Sequence, residues 1–329
     1  MSATVLHGNA LALPVADASV DLIVTSPPYF GLRSYQDGGQ HYAGQIGAEA
    51  TPTEFVDALI AATREMARVL KPTGSIFVNL GDKVVRKGLL NLPHRYAIRC
   101  ADDLLLTQRQ ELIWHKPTGL PVSPKDRAET THETWFHFVK AQRYFANMDN
   151  LREPHAGRTH ELAAFDARRA VEGRAFKQVE PRSVEADRRK TFQPPPNPLG
   201  KLPGSVWTVP TQPLYIPPHL NVRHFAAFPM EWPRRFIKGW CPPDGVVLDP
   251  FGGTGTTATV AHALGRHGIT VDLSHDYCRV AQWRTTDPAQ LAKAAQAPKP
   301  RPVVVATGEG DVEVPADEPD LMTLLEEAS

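Results

Sequence analysis

Apolar positions along the chain fall into short unbroken runs separated by stretches with helical spacing. Residues 20–24, 75–80 and 246–249 are continuous enough to predict buried strands, and 4–7, 110–114, 133–139, 205–209 and 269–271 extend the set. From Thr53, read as an N-cap, Phe55, Val56, Leu59, Ile60, Met66, Val69 and Leu70 recur at helical spacing until Lys71-Pro72-Thr73-Gly74 stops the element. Helices are also predicted over 93–102, 232–240, 259–264 and 277–283. Strands alternating with helices imply an α/β fold whose sheet is mostly parallel and carries helices on both faces.

The pattern weakens between residues 152 and 202, where Arg and Lys alternate with Glu and Asp until Pro194-Pro195-Pro196-Asn197-Pro198 closes the segment. The chain therefore divides into a first half of the α/β unit over 1–150, a variable insertion over 151–203 and a second half over 204–287. Residues 288–329, rich in Ala, Lys and Pro and then acidic, are predicted to be a disordered tail, with a short helix at 321–327 as the exception. The 36 basic and 36 acidic residues cancel, so any nucleic-acid partner must rest on local basic surface. Candidates are Arg33, Lys83, Lys87 and Lys116 in the first half and Arg168, Arg169, Arg188 and Arg189 in the insertion. The three cysteines lack metal-ligand spacing, which argues against structural zinc and for a reduced, cytoplasmic protein. No apolar run reaches membrane-spanning length.

Two strand ends carry chemistry. After the run 20–24 comes Thr25-Ser26-Pro27-Pro28-Tyr29. Consecutive prolines leave a stiff, extended rim. There Ser26 and the Pro27 carbonyl can accept from an amino group, and Tyr29 offers an aromatic face. The aromatic, glycine-rich segment 30–42 beside it is a candidate lid. The second strand end is Asp249-Pro250-Phe251-Gly252-Gly253-Thr254-Gly255-Thr256-Thr257, a glycine turn leading into a helix whose N-terminus suits an anionic group. The next strand ends in Asp272, placed to hold ribose hydroxyls. No Gly-Lys-Ser/Thr closes the turn, so it is not a nucleotide-hydrolysing phosphate loop. A nucleoside ligand bearing one carboxylate fits best. Asn9, at the end of the first strand, reads on its own as a turn residue.

Together these segments resemble the DNA amino-methyltransferases, which transfer a methyl group from S-adenosylmethionine to N4 of cytosine or N6 of adenine. Ser26-Pro27-Pro28-Tyr29 is similar to the family's catalytic motif and Asp249 to Gly255 resembles its cofactor loop. His224-Phe225-Ala226-Ala227-Phe228-Pro229 resembles the segment that packs on the methionine portion, and Trp114-His115-Lys116-Pro117 and His132-Glu133 match further family positions. The catalytic motif precedes the cofactor loop, as in the circularly permuted β group.

The resemblance implies a Rossmann-like methyltransferase fold with a seven-stranded sheet, entered at its third strand, and a target-recognition region in the insertion. It also implies Ser26, Pro27, Pro28 and Tyr29 as catalytic residues. Asn9, Thr25, His224, Phe228, Asp249, Pro250, Phe251, Gly253, Gly255, Thr256, Thr257 and Asp272 become cofactor-binding positions, although many relatives have an acidic residue where Asn9 stands. S-adenosylmethionine is the expected cofactor, leaving as S-adenosylhomocysteine, with no metal. Double-stranded DNA is the expected partner, and a homodimer and a cognate restriction enzyme are both compatible with the reading.

The family resemblance further implies, from its tendency to pair Ser at the first motif position with cytosine and Asp or Asn with adenine, that Ser26 favours N4 of a flipped-out cytosine, with N6 of adenine as the alternative. Cytosine C5 chemistry would need a cysteine nucleophile in a Pro-Cys loop, which is missing. An RNA or protein-amide substrate is disfavoured by the insertion. A noncatalytic DNA-binding protein that kept the fold would bind cofactor without transferring methyl.

Overall fold

In the computed structural model of the chain, the structure describes residues 2–31, 36–37, 40–41, 45–117, 125–155, 197–222, 227–296, 303–307 and 310–314. The elements are β1 (Ala3–His7), β2 (Val20–Thr25), α1 (Pro52–Val69), β3 (Leu70–Leu80), α2 (Leu92–Leu104), β4 (Thr107–His115), β5 (His132–Val139) and β6 (Val206–Thr208). They continue with α3 (Glu231–Trp240), β7 (Val246–Asp249), α4 (Thr256–Ala263), β8 (His267–Asp272), α5 (His275–Thr286) and α6 (Pro288–Ala295).

One sheet runs in the order β1-β8-β7-β2-β3-β5-β4-β6. Neighbours are parallel throughout except β5, which is antiparallel to both β3 and β4. Alternation along the strands sorts side chains to two faces. Ile23, Ile76, Val78, Phe136 and Phe138 face a core closed by α1 and α2. Leu22, Val24, Phe77 and Trp135 face a second core closed by α3, α4 and α6. Burial on both sides explains why the central strands read as unbroken apolar runs. The second core is aromatic: Phe77 stacks on Phe236 at 4.0 Å, and Trp135 and Trp207 stack on Trp232 at 5.3 and 5.2 Å.

Trp207 explains one departure from expectation. The sheet has eight strands rather than seven, the extra one being β6, whose parallel pairing with β4 is fixed by the buried Trp207 and by Trp114 Nε1 donating to the Val209 carbonyl at 2.6 Å. Helix α1 begins earlier than expected. Its cap is Thr51, not Thr53: Thr51 Oγ1 accepts from Glu54 N and Glu54 Oε2 accepts from Thr51 N, a reciprocal capping box with Pro52 in the first turn.

The tail expectation also needs correction. Residues 288–295 form helix α6, capped by Asp287, with Ala294 fully buried against the second core, and residues 303–307 pair with 310–314 as an antiparallel ladder. The predicted helix at 321–327 lies outside the described residues, as does most of the insertion.

Helix α6 matters to the core because Arg234, buried in α3, donates from Nη2 to the Ala294 carbonyl at 2.9 Å. A chain ended at Asp287 is therefore expected to lose about 1 to 3 kcal/mol relative to one ended at Gln296, through the orphaned donor and the uncovered surface of α4. Urea unfolding of the two chains reads this directly; coincident midpoints would show that α6 contributes nothing.

Candidate active site

The chain reverses its winding direction between β7 and β2. From β7 it passes through α4 to β8 on one side, and from β2 through α1 to β3 on the other. Ligands of open α/β sheets bind beyond the C-terminal strand ends at such a switch point. The two loops that leave these strands are Ser26 to Tyr29 and Pro250 to Gly255, so residues over two hundred positions apart become neighbours.

The strands are tied at both ends. At the N-terminal end Asp21 accepts from Val246 N at 2.9 Å and from Lys71 Nζ at 2.8 Å. At the C-terminal end Asp249, fully buried, accepts from Thr25 Oγ1 at 2.6 Å, Thr257 Oγ1 at 2.9 Å and Phe251 N at 3.2 Å. Burial pushes its carboxyl up to about 7, against the opposing pull of these hydrogen bonds. Thr257 Oγ1 also lies 3.3 Å from the Val24 carbonyl. A protonated Asp249 can thus donate to Thr257, whose own hydroxyl then donates to Val24, and no group is left unmade.

A cavity of about 590 Å³ opens between the two loops. Ser26, Pro27, Pro28 and Tyr29 form one wall; Pro250 to Thr254 with Thr256 form the facing one; Asn9, Phe228 and Asp272 complete it. Of the residues expected to touch cofactor, Thr25, Asp249, Gly255 and Thr257 do not line the cavity. Thr25 and Thr257 donate instead to Asp249 behind the cavity wall, and Gly255 packs on Ala281. Gly255 adopts φ +77° against Ala281, and a Cβ at Gly252 would stand 1.5 Å from Thr270 Oγ1, so only glycine fits there. Asn9 accepts from Leu11 N at 2.9 Å in a local turn and also lines the cavity.

On the catalytic side, residues outside the sequence motifs set the geometry. Asn79, at the end of β3, donates from Nδ2 to the Thr134 carbonyl at 3.1 Å. Its Oδ1 thereby faces Tyr29 Oη at 2.8 Å and Ser26 Oγ at 3.4 Å. Tyr29 Oη is also 2.8 Å from Glu133 Oε2, and Glu133 pairs with Lys116, which sits 4.2 Å from the Trp114 ring centroid. All of these line the cavity. Tyr29 is therefore a fixed wall, its ring packed where a Cβ at Gly81 would come within 2.7 Å. Lys116 lines the cavity. Lys83 folds back to donate to the Gly31 carbonyl at 3.0 Å beside the Phe30 ring, and Lys87 reaches Asp126 at 3.4 Å. Arg33, His224, Arg168, Arg169, Arg188 and Arg189 lie outside the described residues. Asn79 had a readable signal, a polar side chain closing an apolar run; Thr211 to Leu214, which also line the cavity, had none.

The cofactor side suits a nucleoside with a carboxylate. Asp272 accepts from Gly253 N and Ser274 N, each at 2.8 Å, and lines the cavity beside the turn. Beneath the turn, Arg284 is 2 % exposed and donates from Nη1 to the Thr254 carbonyl at 3.1 Å and to Thr256 Oγ1 at 2.8 Å. Burial pulls it down to about 10. The cavity size is within the range of small-ligand sites. Among the described residues no group of His, Cys, Asp and Glu is gathered as a metal site.

These features, a permuted Rossmann-like sheet with a proline rim facing a glycine turn across one cavity, point to a class, and comparison with known proteins agrees. A family profile described as DNA methylase, for N6 and N4 methyltransferases, matches residues 20–283. The chain belongs to that family and is an S-adenosylmethionine-dependent DNA methyltransferase. It is 27% identical over 293 residues to the Type II methyltransferase M.SmaI of Serratia marcescens, covering 80% of this chain and 83% of that one. Among solved structures it resembles the cytosine-N4-specific PvuII DNA methyltransferase, with a TM-score of 0.62 at 20% identity over 90% and 92% of the chains. It also resembles a Thermus thermophilus protein assigned as a DNA modification methylase and solved with S-adenosyl-L-methionine, with a TM-score of 0.51 at 25% identity over 90% and 97%.

The raised Asp249 carboxyl has a consequence for pH. Its folded value of about 7 lies above the ordinary 3.8, so between these the folded state binds more protons than the unfolded one. The associated stability is full at the acid end and is lost as pH rises through about 7. Asp249→Asn, which stays neutral, should gain in melting temperature relative to the parent as pH rises from about 5 to about 8; a difference that does not vary with pH would show that Asp249 is ionised throughout.

Proposed function

We propose that the enzyme methylates the exocyclic N4 of a cytosine turned out of duplex DNA into this cavity. The observation that carries the reading is the placement of Ser26, held toward Asn79, on the wall facing the Pro250 to Thr254 turn. An exocyclic amino nitrogen is a weak nucleophile because its lone pair is delocalised into the ring. Ser26 Oγ and the Pro27 carbonyl accept its N–H bonds and favour a tetrahedral nitrogen whose lone pair faces the methyl donor. S-adenosylmethionine supplies the methyl group as a sulfonium. Tyr29, fixed by Asn79 and Glu133, gives the ring a preset wall, so positioning supplies much of the acceleration. Turning the base out brings its amino group within reach of a recessed site.

Cytosine C5 chemistry finds no support here. None of the three cysteines lines the cavity, and burial pushes the thiols of Cys100 and Cys241 up to about 12. The Type II designation of M.SmaI supports a restriction-modification setting with a cognate endonuclease.

Incubating unmethylated duplex with labelled S-adenosylmethionine and identifying modified nucleosides by mass spectrometry tests the proposal. N4-methyldeoxycytidine is expected; N6-methyldeoxyadenosine would replace the base assignment. Ser26→Ala is expected to lower turnover on the order of a hundredfold while cofactor affinity stays unchanged. Unaltered turnover would remove Ser26 from the mechanism.

A further inference from the structure

Strand β3 continues past Gly81 into a narrow ribbon in which Val84 pairs with Leu89 and Val85 with Gly88. The two residues at its tip, Arg86 and Lys87, have φ +50° and +65°. Positive φ at both turn positions is the backbone of the tightest hairpin turn, for which Asn-Gly is the favoured pair because a larger side chain crowds the backbone there. The chain instead places two long cationic side chains in that conformation. Strain of this kind persists only where the surroundings enforce it and calls for a reason beyond folding.

The surroundings do enforce it. Asp82 Oδ1 accepts from Lys83 N at 2.8 Å and Leu92 N at 3.1 Å, and Leu90 N donates to the Lys83 carbonyl at 3.0 Å, clamping the ribbon base. Beyond the clamp it projects, with Val84, Val85 and Leu89 exposed by 38%, 41% and 54%. Among the described residues Arg86 has no carboxylate partner. Lys87 faces only Asp126 among them, at 3.4 Å with both side chains exposed, a contact weak enough to exchange for a stronger anion. The base of the ribbon adjoins the catalytic rim through Gly81 against Tyr29.

We propose that this ribbon enters a groove of the duplex beside the target base, with Arg86 and Lys87 on backbone phosphates and the exposed valines and Leu89 against sugars and base edges. A two-stranded ribbon is the width the major groove admits, and cations at its tip neutralise phosphates. The inference rests on the DNA-methylation reading and adds to it an element that positions the duplex.

The double variant Arg86→Asn/Lys87→Gly separates the role of the tip from folding, because it gives the turn its preferred residues. Expected are an unchanged or higher melting temperature, unchanged S-adenosylmethionine binding, and methylation at saturating DNA within about twofold of the parent. Affinity for a duplex should fall by about tenfold, and the slope of log Kd against log salt concentration by about 2. Parental affinity and slope in the variant would overturn the proposal while leaving the methyltransferase reading intact. A lowered melting temperature would overturn the strain argument, and a parent protein that binds no duplex would remove both readings.

Discussion

A buried carboxylate joins the two halves of this enzyme. Asp249 ends the cofactor strand, Thr25 ends the catalytic strand, and the 2.6 Å bond between them spans 224 positions of sequence. Ser26 is the residue after one partner and Pro250 the residue after the other. The distance between acceptor rim and cofactor turn is therefore set by a contact that never reaches the cavity. Burying a carboxylate is costly unless its lone pairs are filled, and here Thr25, Thr257 and the Phe251 amide fill them. Permutation gives this bond its importance, because the chain supplies the two loops from opposite ends and the sheet alone pairs β7 with β2 over only two registered residues.

Around that tie each side of the site has its own supports. Beneath the glycine turn lies the guanidinium of Arg284, bonded to Thr254 and Thr256, while Asp272 accepts from Gly253 N. On the catalytic side the Lys116 and Glu133 pair fixes Tyr29, and Asn79 orients toward Ser26. Ser26 and Tyr29 are held by partners from β3 and β5, so their geometry is prepared before any ligand arrives.

Much of this was legible in the sequence because it is written in local constraints. Proline pairs, glycine turns and apolar runs act within a few residues, so the rim at Ser26, the turn at Gly252 to Gly255 and the strand order implied by the family pattern could be read directly. What escaped depends on contacts between distant segments. Thr25, Asp249 and Thr257 sit in the recognised motifs, but the hydrogen bonds that join them across the two strands could not be read from either motif alone. Tyr29 has the aromatic face of a free stacking platform, but Asn79 and Glu133 claim its hydroxyl. Helix α6 is short and compositionally bland; Ala294 holds it through a partner the sequence does not announce. The cap at Thr51 was readable, since only Thr51 has a Glu three residues on.

The central claim, that a bond outside the cavity sets the site, is tested most directly by titrating S-adenosylmethionine into Thr25→Val and Thr25→Ser. Valine keeps the shape and removes the donor, whereas serine keeps the hydroxyl. Losing a hydrogen bond to a buried carboxylate predicts cofactor affinity about tenfold weaker for folded Thr25→Val, with Thr25→Ser within about twofold of the parent. Parental affinity in Thr25→Val would contradict the account.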